Sequence, residues 1–383
     1  MVSQGTGIIF DNPHNTYFAG ATVNGRVQLV LDKPKKLRGI YLQLRGAAKV
    51  EWTETETTTS DGKTETNTVT YHAEEEYFKT KYYCVGGPDY ETITLPPGTH
   101  VYPFSMALPS TVPSSFEGKY GTIRYIAKFA IERPWKWNQE TKTAFTVISP
   151  YDLTRFPNLL SPAKVQADKY FCCCCCKSGP LTGILMVAKT GYVSGERISF
   201  IVEIDNASST TVSEVTVKFQ QYTRFRSHRP SNSSKGDVKV FQMFKLGPVN
   251  AKDSKSWNQM MLIPPLPPSS LGSCSIIETE YQLFLEVSTG VFRKNLTSSI
   301  PITIGTVPVI TTETPTMISE GVGQPGWVDL PNPSAPPIQT FAVNEMFNVR
   351  SIAEKSDAKG TFYGNDSRGY TPSYPVYNFE YSG

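Results

Sequence analysis

The sequence predicts an all-β protein, with two immunoglobulin-like β-sandwiches in tandem followed by a disordered C-terminal tail. Apolar and polar residues alternate in short runs up to about residue 305, as they do in half-buried strands. No segment before residue 310 keeps the 3.6-residue period of an amphipathic helix. A long stretch of the first half of the chain recurs in the second half. Short strands, frequent Pro and Gly turns and the lack of helical periods together favour sandwiches.

The recurrence begins with two similar segments. Y-F-A-G-A-T-V-N-G-R-V-Q-L starts at Tyr17, and Y-V-S-G-E-R-I-S-F-I-V-E-I starts at Tyr192. A constant offset of 175 residues (192 minus 17) aligns glycine with glycine and apolar with apolar residues. The aligned pairs are Gly20/Gly195, Val23/Ile198, Val27/Val202, Leu29/Ile204, Ile40/Val215, Leu42/Val217 and Leu44/Phe219. A period this long exceeds that of solenoid units and indicates a duplicated domain.

A second pair of segments continues the repeat. L-P-S-T-V-P-S-S-F from Leu108 corresponds to I-P-P-L-P-P-S-S-L from Ile263, and Tyr125 corresponds to Tyr281. The offset has fallen to 155 residues (263 minus 108), so the first copy contains 20 residues (175 minus 155) that the second lacks. We place the additional residues near 53–72.

The inserted stretch, Thr53–His72, is predicted to form a long hairpin, because Asp61-Gly62 suits a type I′ turn. We interpret it as a solvated ribbon, and a partner-binding surface is the alternative. In the second copy a basic stretch, Arg224–Arg229, is likewise interpreted as a solvated strand end and loop, although it would also suit phosphates or acidic lipid headgroups.

These patterns divide the chain into four parts. We predict a first sandwich over residues 1–149, a linker over 150–180, a second sandwich over 181–306 and a tail over 307–383. Prolines interrupt hydrogen-bonded ladders and favour extended or turn backbone, which suits a connector between folded units. The prolines of the linker are Pro150, Pro157, Pro162 and Pro180.

The linker also carries five adjacent cysteines, which are Cys172, Cys173, Cys174, Cys175 and Cys176. A zinc site fits them poorly, because neighbouring residues on a strand point to opposite faces whereas four thiolates must converge. Reversible palmitoylation suits cysteines that lie between Lys169 and Lys177. We favour a third interpretation, in which the run begins the first strand of the second sandwich and alternate thiols are buried.

Composition narrows the function and the location. A formal net charge of +3 is too small to indicate nucleic-acid binding, and the lysines and arginines are spread along the chain. The N-terminal segment lacks the basic and apolar regions of a signal peptide, and no run approaches 18 apolar residues. Five adjacent cysteines cannot form a framework of spaced disulfides, which favours a reducing compartment. We therefore expect a cytosolic protein.

Catalytic motifs are missing from the sequence. The four histidines are scattered, and no nucleophile elbow, phosphate-binding loop or zinc-protease motif occurs. The carboxylates of Glu74–Glu76 lie in a polar run that would not desolvate them and shift their pKa values. We predict a protein without enzymatic activity, cofactor or metal.

The alternation stops at about Val307, and the remaining residues are rich in Pro, Ser, Thr and Gly, which predicts disorder. A weak helical stripe occurs over Val343–Glu354. The tail ends in two overlapping x-P-x-Y units, 371–374 and 374–377. WW domains seat a proline between aromatic rings and a tyrosine in a neighbouring pocket. The candidate WW-binding residues, in a degenerate form because P-P-x-Y is missing, are Pro372, Tyr374, Pro375 and Tyr377.

Several of these motifs resemble one known family. L-P-P-G-T-H-V-Y-P-F from Leu95, G-T-I-R-Y from Gly121 and R-P-W-K from Arg133 resemble the N-terminal domain of arrestin domain-containing proteins, the alpha-arrestins. The linker P-Y-D-L, the cysteine cluster, G-Y-V-S-G-E and I-G-T-V-P-V resemble that family's hinge and C-terminal domain. The resemblance covers residues 1 to about 310 and implies two arrestin-type sandwiches with a flexible tail. Its implied interdomain hinge comprises Pro150, Tyr151, Asp152 and Leu153.

The resemblance also implies a function. Alpha-arrestins link membrane cargo to HECT-type ubiquitin ligases through tail P-P-x-Y motifs that bind WW domains, which promotes endocytosis and sorting. It therefore implies receptors or transporters as cargo, WW-domain ligases as partners, and recruitment from the cytoplasm to the plasma membrane and endosomes. Visual and beta-arrestins sense receptor phosphates with early lysines, whereas the opening G-I-I-F-D-N-P-H-N-T-Y-F has none, so phosphate-triggered activation is not expected.

Two functions follow from these expectations. The first is a trafficking adaptor of the alpha-arrestin type, with a weak or alternative connection to ubiquitin ligases because each x-P-x-Y unit has one proline where the full motif has two. The second is a receptor-binding arrestin scaffold in signalling, for example in sensory transduction, which does not recruit a ligase. Binding of the tail to WW domains separates the two.

Overall fold

The structure is a computed structural model of the 383-residue chain. It describes residues 5–60, 63–135, 137–173, 176–290, 294–309, 338–347 and 370–379. These ranges contain strands and a few 3₁₀ turns, which confirms the predicted all-β class with two sandwiches. Among the described residues, no helix is both long and apolar enough to cross a membrane.

The first module spans residues 7–148. Its strands are β1 (Gly7–Phe10), β2 (Thr16–Phe18), β3 (Thr22–Leu31), β4 (Lys35–Leu37), β5 (Gly39–Ser60), β6 (Lys63–Gly86), β7 (Ile93–Leu95), β8 (Gly98–Ala107), β9 (Phe116–Glu117), β10 (Gly121–Glu132) and β11 (Gln139–Ile148). One sheet has the order β1-β3-β8, and the facing sheet has the order β2-β11-β10-β5-β6, with β9 paired to β10. A small sheet, β4-β7, lies at one end.

The second module spans residues 163–305 and repeats this arrangement. Its strands are β12 (Ala163–Lys169), β13 (Cys172–Cys173), β14 (Cys176–Lys177), β15 (Leu181–Val187), β16 (Gly191–Val193), β17 (Arg197–Asn206), β18 (Val212–Ser227), β19 (Ser233–Val249), β20 (Asp253–Leu262), β21 (Ile277–Ser288) and β22 (Leu296–Gly305). The sheets have the orders β12-β15-β17-β20 and β16-β22-β21-β18-β19. In both modules a three-residue strand, β2 or β16, pairs in parallel with the last strand.

The predicted duplication is visible in the core and in the turns. Val27, Leu29, Val202 and Ile204 alternate with more exposed residues and are at most 1% exposed. The turns before β3 and β17 place their glycines, at 20 and 195, at φ angles of +83° and +95°. Side chains with a Cβ rarely adopt these angles, so the backbone explains the shared glycine.

In each module a serine-rich loop is hydrogen-bonded to the last strand. The serines that make equivalent bonds differ by one residue from the pair that the sequence alignment predicted. The backbone N–H of Val147 donates to Ser115 Oγ at 2.9 Å, and the N–H of Ile304 donates to Ser269 Oγ at 2.8 Å. Tyr125 donates to the Pro113 carbonyl, and Tyr281 donates to the Pro267 carbonyl at 2.8 Å. The serine offset is therefore 154 residues (269 minus 115), whereas the sequence alignment predicted 155.

The linker differs from its predicted form. Ala163–Lys169 pairs along its whole length with β15, so the first strand of the second module precedes the cysteines. Cys172–Cys173 pairs with Cys176–Lys177 in a separate two-stranded sheet. The prediction that the cysteines begin the first strand is thus wrong, because the weak alternation of A-K-V-Q-A-D-K concealed a strand before them. Residues 174–175 and the cysteine side chains of the run lie outside the described residues, and palmitoylation stays a prediction.

The predicted hinge is attached to the end of the second module. The backbone N–H of Tyr151 donates to Thr306 Oγ1 at 2.6 Å, and the N–H of Thr306 donates to the Tyr151 carbonyl at 2.9 Å. Asp152 accepts from the N–H of Thr154 at 3.0 Å and caps the 3₁₀ turn Leu153–Arg155, which a second turn, Pro157–Leu160, follows. Leu153 itself is buried.

The hairpin predicted over 53–72 is part of a longer one, in which β5 and β6 are paired from Gly39/Gly86 to Ser60/Lys63; its Asp61-Gly62 turn lies outside the described residues. Residues 54 and 72 of this hairpin contact the second module, so the stretch is not simply a solvated ribbon. The N–H of His72 donates to the carbonyl of Arg229 at 2.8 Å, and Lys235 donates to Glu54 at 3.1 Å.

The predicted solvated basic stretch, 224–229, therefore takes part in the contact between modules. Phe225 of the same stretch is fully buried and packs near Phe116 and Tyr120 of the first module, with ring centroids 6.5 Å and 5.7 Å away. Glu75 accepts a hydrogen bond from the N–H of Ser275 at 3.2 Å. The two modules are thus joined by apolar packing and by polar contacts around it.

A buried ion pair lies next to this contact. Arg124 Nε donates to Glu117 Oε1 at 2.6 Å, and Arg124 Nη2 donates to Oε2 at 2.8 Å. The side chains are 7% and 0% exposed. The two parallel bonds satisfy charges that would otherwise be very costly to bury.

We predict that Arg124→Met lowers the free energy of unfolding by about 3–5 kcal/mol, because it leaves the Glu117 carboxylate buried without its main counter-charge. The double variant Glu117→Leu/Arg124→Met removes both charges and should recover much of that loss. Urea unfolding of the purified variants measures both values. Arg45→Met, whose partners Glu74 and Glu76 are more exposed, is the control and should cost about 0–1 kcal/mol. A double variant no more stable than Arg124→Met would contradict this account.

Candidate functional site

Two segments within the predicted disordered tail have defined structure. Strand β23 (Ile338–Val343) pairs antiparallel with β24 (Ser373–Asn378), and a 3₁₀ turn, Glu345–Phe347, follows β23. We call residues 338–347 and 370–379 the tail ribbon. The expectation of disorder does not hold for these two segments. The helical stripe over 343–354 is a strand end and a 3₁₀ turn as far as residue 347, and its remainder lies outside the described residues.

The tail ribbon contacts the first module through tyrosine side chains. Tyr370 donates to the carbonyl of Phe145 at 3.0 Å, and its hydroxyl lies 3.1 Å from Thr146 Oγ1. Tyr374 is fully buried and donates to the carbonyl of Ser115 at 3.2 Å. The serine loop that anchors the last strand of the first module therefore also receives the tail.

Tyr377, three residues after Tyr374, connects the tail ribbon to the second module. The N–H of Tyr377 donates to the carbonyl of Ser194 at 2.9 Å, and its hydroxyl donates to the carbonyl of Thr306 at 2.6 Å. A Cβ at position 195 would lie only 2.0 Å from the carbonyl oxygen of Tyr377. Glycine is therefore required at 195 for two reasons, the positive φ and the close approach of the tail.

Phe347 fills the space between the modules beside Tyr374. It is fully buried, and its ring centroid lies 5.8 Å from that of Tyr374 and 6.2 Å from that of Phe116. Lys239 lies 3.9 Å from the centre of the Phe347 ring and donates to the carbonyl of Met346 at 2.7 Å. Burial lowers the pKa of Lys239 to about 8.

The structure brings all four candidate WW-binding residues together on one segment and buries them. Tyr374 is 0% and Tyr377 7% exposed, and Pro372 and Pro375 are also buried. Burial raises the pKa of Tyr374 well above its ordinary value and the pKa of Tyr370 to about 12. A WW domain needs an accessible polyproline II segment, so the docked ribbon is not a ligand for it.

The predicted hinge meets the tail ribbon in a small apolar cluster, in which Leu153, Val193 and Tyr377 are buried together. The sequence predicted separate roles for Leu153 and Tyr377 and did not predict this contact. It also missed Tyr370, Phe347 and the receiving residues of both modules. The available signal was the high aromatic content of Y-T-P-S-Y-P-V-Y-N-F, which is unusual for a disordered segment.

Comparison with known proteins agrees with the two-module architecture. Residues 6–154 match the arrestin (or S-antigen) N-terminal domain, and residues 177–309 match the arrestin (or S-antigen) C-terminal domain. Arrestin domain-containing protein 17 of Caenorhabditis elegans is 34% identical over 313 residues, which cover 79% of this chain and 70% of that protein. The chain belongs to the arrestin domain-containing family.

Other members of the arrestin domain-containing family are also similar. Arrestin domain-containing protein 4 of Homo sapiens is 30% identical over 90% of this chain and 83% of its own length. Arrestin domain-containing protein 1 of Homo sapiens is 28% identical over 84% of this chain and 68% of its own length. The predicted family is therefore confirmed, and with it an arrestin-type adaptor architecture. Within the described part of the chain, no group of His, Cys, Asp and Glu is arranged to hold a metal ion.

We predict that Gly195→Ala releases β24 from the second module. The added Cβ clashes with the Tyr377 carbonyl, and overpacking of this kind costs about 1–3 kcal/mol. Hydrogen exchange of the amides of residues 373–378 should become markedly faster, while exchange in β10 and β21 stays slow.

Gly20→Ala is the matched control for this variant. It places a Cβ at a similarly positive φ in the equivalent turn, where the atoms within 4 Å all belong to Ser110, the nearest being its Cβ at 3.4 Å, and none belongs to the tail ribbon. The Gly20→Ala variant therefore introduces similar backbone strain without a clash with the tail ribbon. Equal acceleration of exchange in the two variants would mean that loss of stability, and not loss of the tail contact, exposes β24.

Proposed function

We propose that this protein is a non-enzymatic cytoplasmic adaptor that takes part in the endocytosis and sorting of membrane receptors or transporters at the plasma membrane and endosomes. Membership of the arrestin domain-containing family supports the adaptor role. The two sandwiches present extended sheet surfaces for cargo, and their contact through Phe116, Tyr120 and Phe225 holds these surfaces together.

The burial of the proline–tyrosine segment is the observation that carries the more specific part of this proposal. Pro372, Tyr374, Pro375 and Tyr377 are all buried between the modules. We propose that WW domains of HECT-type ubiquitin ligases bind this segment only after the tail ribbon has left its site. Ligase recruitment is then coupled to whatever displaces the ribbon, because the two binding events compete for the same side chains.

The released segment is a weak WW ligand on chemical grounds. Thr371 and Tyr374 occupy the positions where a P-P-x-Y motif has its first proline. Neither residue presets φ near −65° as proline does, so ordering the ligand costs more free energy. Because Tyr374 belongs to both units, two WW domains cannot bind at once. We expect one WW domain per tail.

The second candidate function is a receptor-binding scaffold that does not recruit a ligase. The depth at which Tyr374 is buried favours it, because its hydrogen bond to Ser115 and its packing on Phe347 must both be broken before a WW domain binds. In this case the tyrosines serve only to fasten the two modules, and cargo binding depends on the sandwiches alone.

A titration of WW domains separates these functions. We expect a labelled peptide of residues 368–380 to bind weakly and one-to-one, the full chain to bind much less well, and the Gly195→Ala chain to approach the peptide. The measurement is fluorescence anisotropy against a panel of WW domains. The peptide with Tyr374→Ala and Tyr377→Ala is the specificity control and should not bind.

Each outcome favours one function. If the peptide fails to bind at millimolar concentration, or binds as well after both tyrosines are replaced, ligase recruitment through this segment is wrong and the scaffold function remains. If the full chain and the peptide bind equally well, the competition between docking and WW binding is refuted. Gly20→Ala should bind as the unaltered full chain does.

Cargo binding is tested separately by cross-linking and affinity capture from cell membranes. If the sandwiches bind cargo, receptors or transporters should be captured by the full chain and retained by the Gly195→Ala chain. Absence of membrane proteins from both captures, relative to a heat-denatured chain, would contradict the adaptor proposal. Loss of capture only in Gly195→Ala would place cargo binding on the docked tail instead.

A further inference from the structure

Two loops of the first module lie side by side. One joins β3 to β4, and the other joins β10 to β11. Lys35 Nζ donates to Gln139 Oε1 and holds the loops together. The loops and strand ends line an open cleft of about 640 Å³. We call the surface formed by residues 32–36, 133–135 and 137–138 the loop surface.

The loop surface exposes two tryptophans. Trp135 is 99% and Trp137 92% exposed, although indole side chains are usually largely buried. Trp135 has φ of +59°, which is unfavourable for a bulky residue and is found where a function or strong packing requires it. Trp135 is almost fully exposed, so packing does not explain this backbone conformation. Arg133 Nε donates to the carbonyl of Trp137 at 2.9 Å and so fixes the course of this loop.

The surroundings of the tryptophans are positively charged. The cleft is lined by Lys33, Lys35, Lys36 and Arg133, and Asp32 is the one carboxylate among its described lining residues. Lys33 and Lys36 are exposed. Burial and the charge of Arg133 lower the pKa of Lys35, as expected where cations are crowded together.

Exposed tryptophan rings beside lysines and arginines are typical of surfaces that contact membranes. Tryptophan rings favour the boundary between the hydrocarbon and the headgroups of a bilayer. Lysines and arginines near an anionic leaflet each add roughly 1 kcal/mol of attraction. A soluble anion would use the cations but would leave Trp135 and Trp137 in water. The combination therefore favours a lipid surface over a free phosphate.

We propose that the loop surface is a membrane-contact site that binds bilayers containing acidic phospholipids, with Trp135 and Trp137 inserted among the headgroups and Lys33, Lys36 and Arg133 facing lipid phosphates. The proposal deepens the adaptor function, which it assumes, by giving the protein a direct contact with the membrane that carries the cargo. It needs neither cargo nor ligase, so its test uses vesicles without protein.

The experiment measures binding of the full chain to phosphatidylcholine vesicles with and without phosphatidylserine, by co-flotation. We expect binding to the acidic vesicles only. Trp135→Asn/Trp137→Ser should weaken it about tenfold or more, and Lys33→Glu/Lys36→Glu should weaken it to a similar extent. Asparagine tolerates a positive φ, and all four positions are at the surface, so the variants should fold. Circular dichroism verifies this.

Matched controls lie on the second module. Tyr170 is 63% exposed, and Lys164 is also exposed. Tyr170→Ser and Lys164→Glu remove an aromatic ring and reverse a charge away from the loop surface, and should bind acidic vesicles as the unaltered chain does. Vesicles with brominated acyl chains give an independent readout, because they quench tryptophan fluorescence only at short range. Quenching should disappear when both loop tryptophans are replaced by phenylalanine.

The outcomes distinguish a membrane from a soluble anion or an acidic peptide as the ligand of the loop surface. No binding of the unaltered chain to acidic vesicles overturns the proposal, whatever the cargo experiments show. Binding that is lost in the lysine variant but unchanged in the tryptophan variant, and is competed by inorganic phosphate, identifies a soluble-anion or acidic-peptide site and also overturns it. Loss in both loop variants, with both controls unaffected, supports membrane contact even if the chain captures no cargo.

Discussion

Burial of aromatic side chains at the junction of the modules is the constraint on which the rest of the structure depends. The buried apolar residues of both sandwiches form one continuous cluster, and Phe116, Phe225, Phe347 and Tyr374 all belong to it. Removing these rings from water provides a large stabilising free energy that neither module obtains alone. The polar groups at this place, above all Glu117 and Arg124, are paired because they cannot reach solvent.

Sequence patterns predicted the features that depend on local or repeated chemistry. Alternation and duplication predicted the two sandwiches, and the shared glycines at 20 and 195 marked equivalent turns. The strand Ala163–Lys169 escaped prediction because its inward residues are small and weakly apolar. The one-residue slip of the serine loops escaped it because P-S-S matches P-S-S at an offset of 155, and only the hydrogen bonds to the last strand show that Ser115 is equivalent to Ser269.

The sequence predicted which residues form the candidate site but not where they lie in the fold. The proline–tyrosine units predicted that residues 371–377 bind WW domains, and composition predicted that these residues would be accessible. Their partners, Ser115, Ser194 and Thr306, are distant in sequence and come together only when both modules have folded. No period or spacing encodes such a contact. The segment is a strand when docked, and its role as a linear motif when released stays a prediction.

The position of the tail ribbon in the chain gives the protein a definite order of assembly during translation. Domains usually fold in the order in which they are synthesised, so both sandwiches are available before Tyr374 and Tyr377 emerge. Until then Phe116 and Phe241, the rings on which Phe347 packs, are not covered by the tail ribbon. Such transiently exposed apolar surface is what chaperones recognise and what drives aggregation. The tail ribbon, which is made after both sandwiches, thus covers these rings.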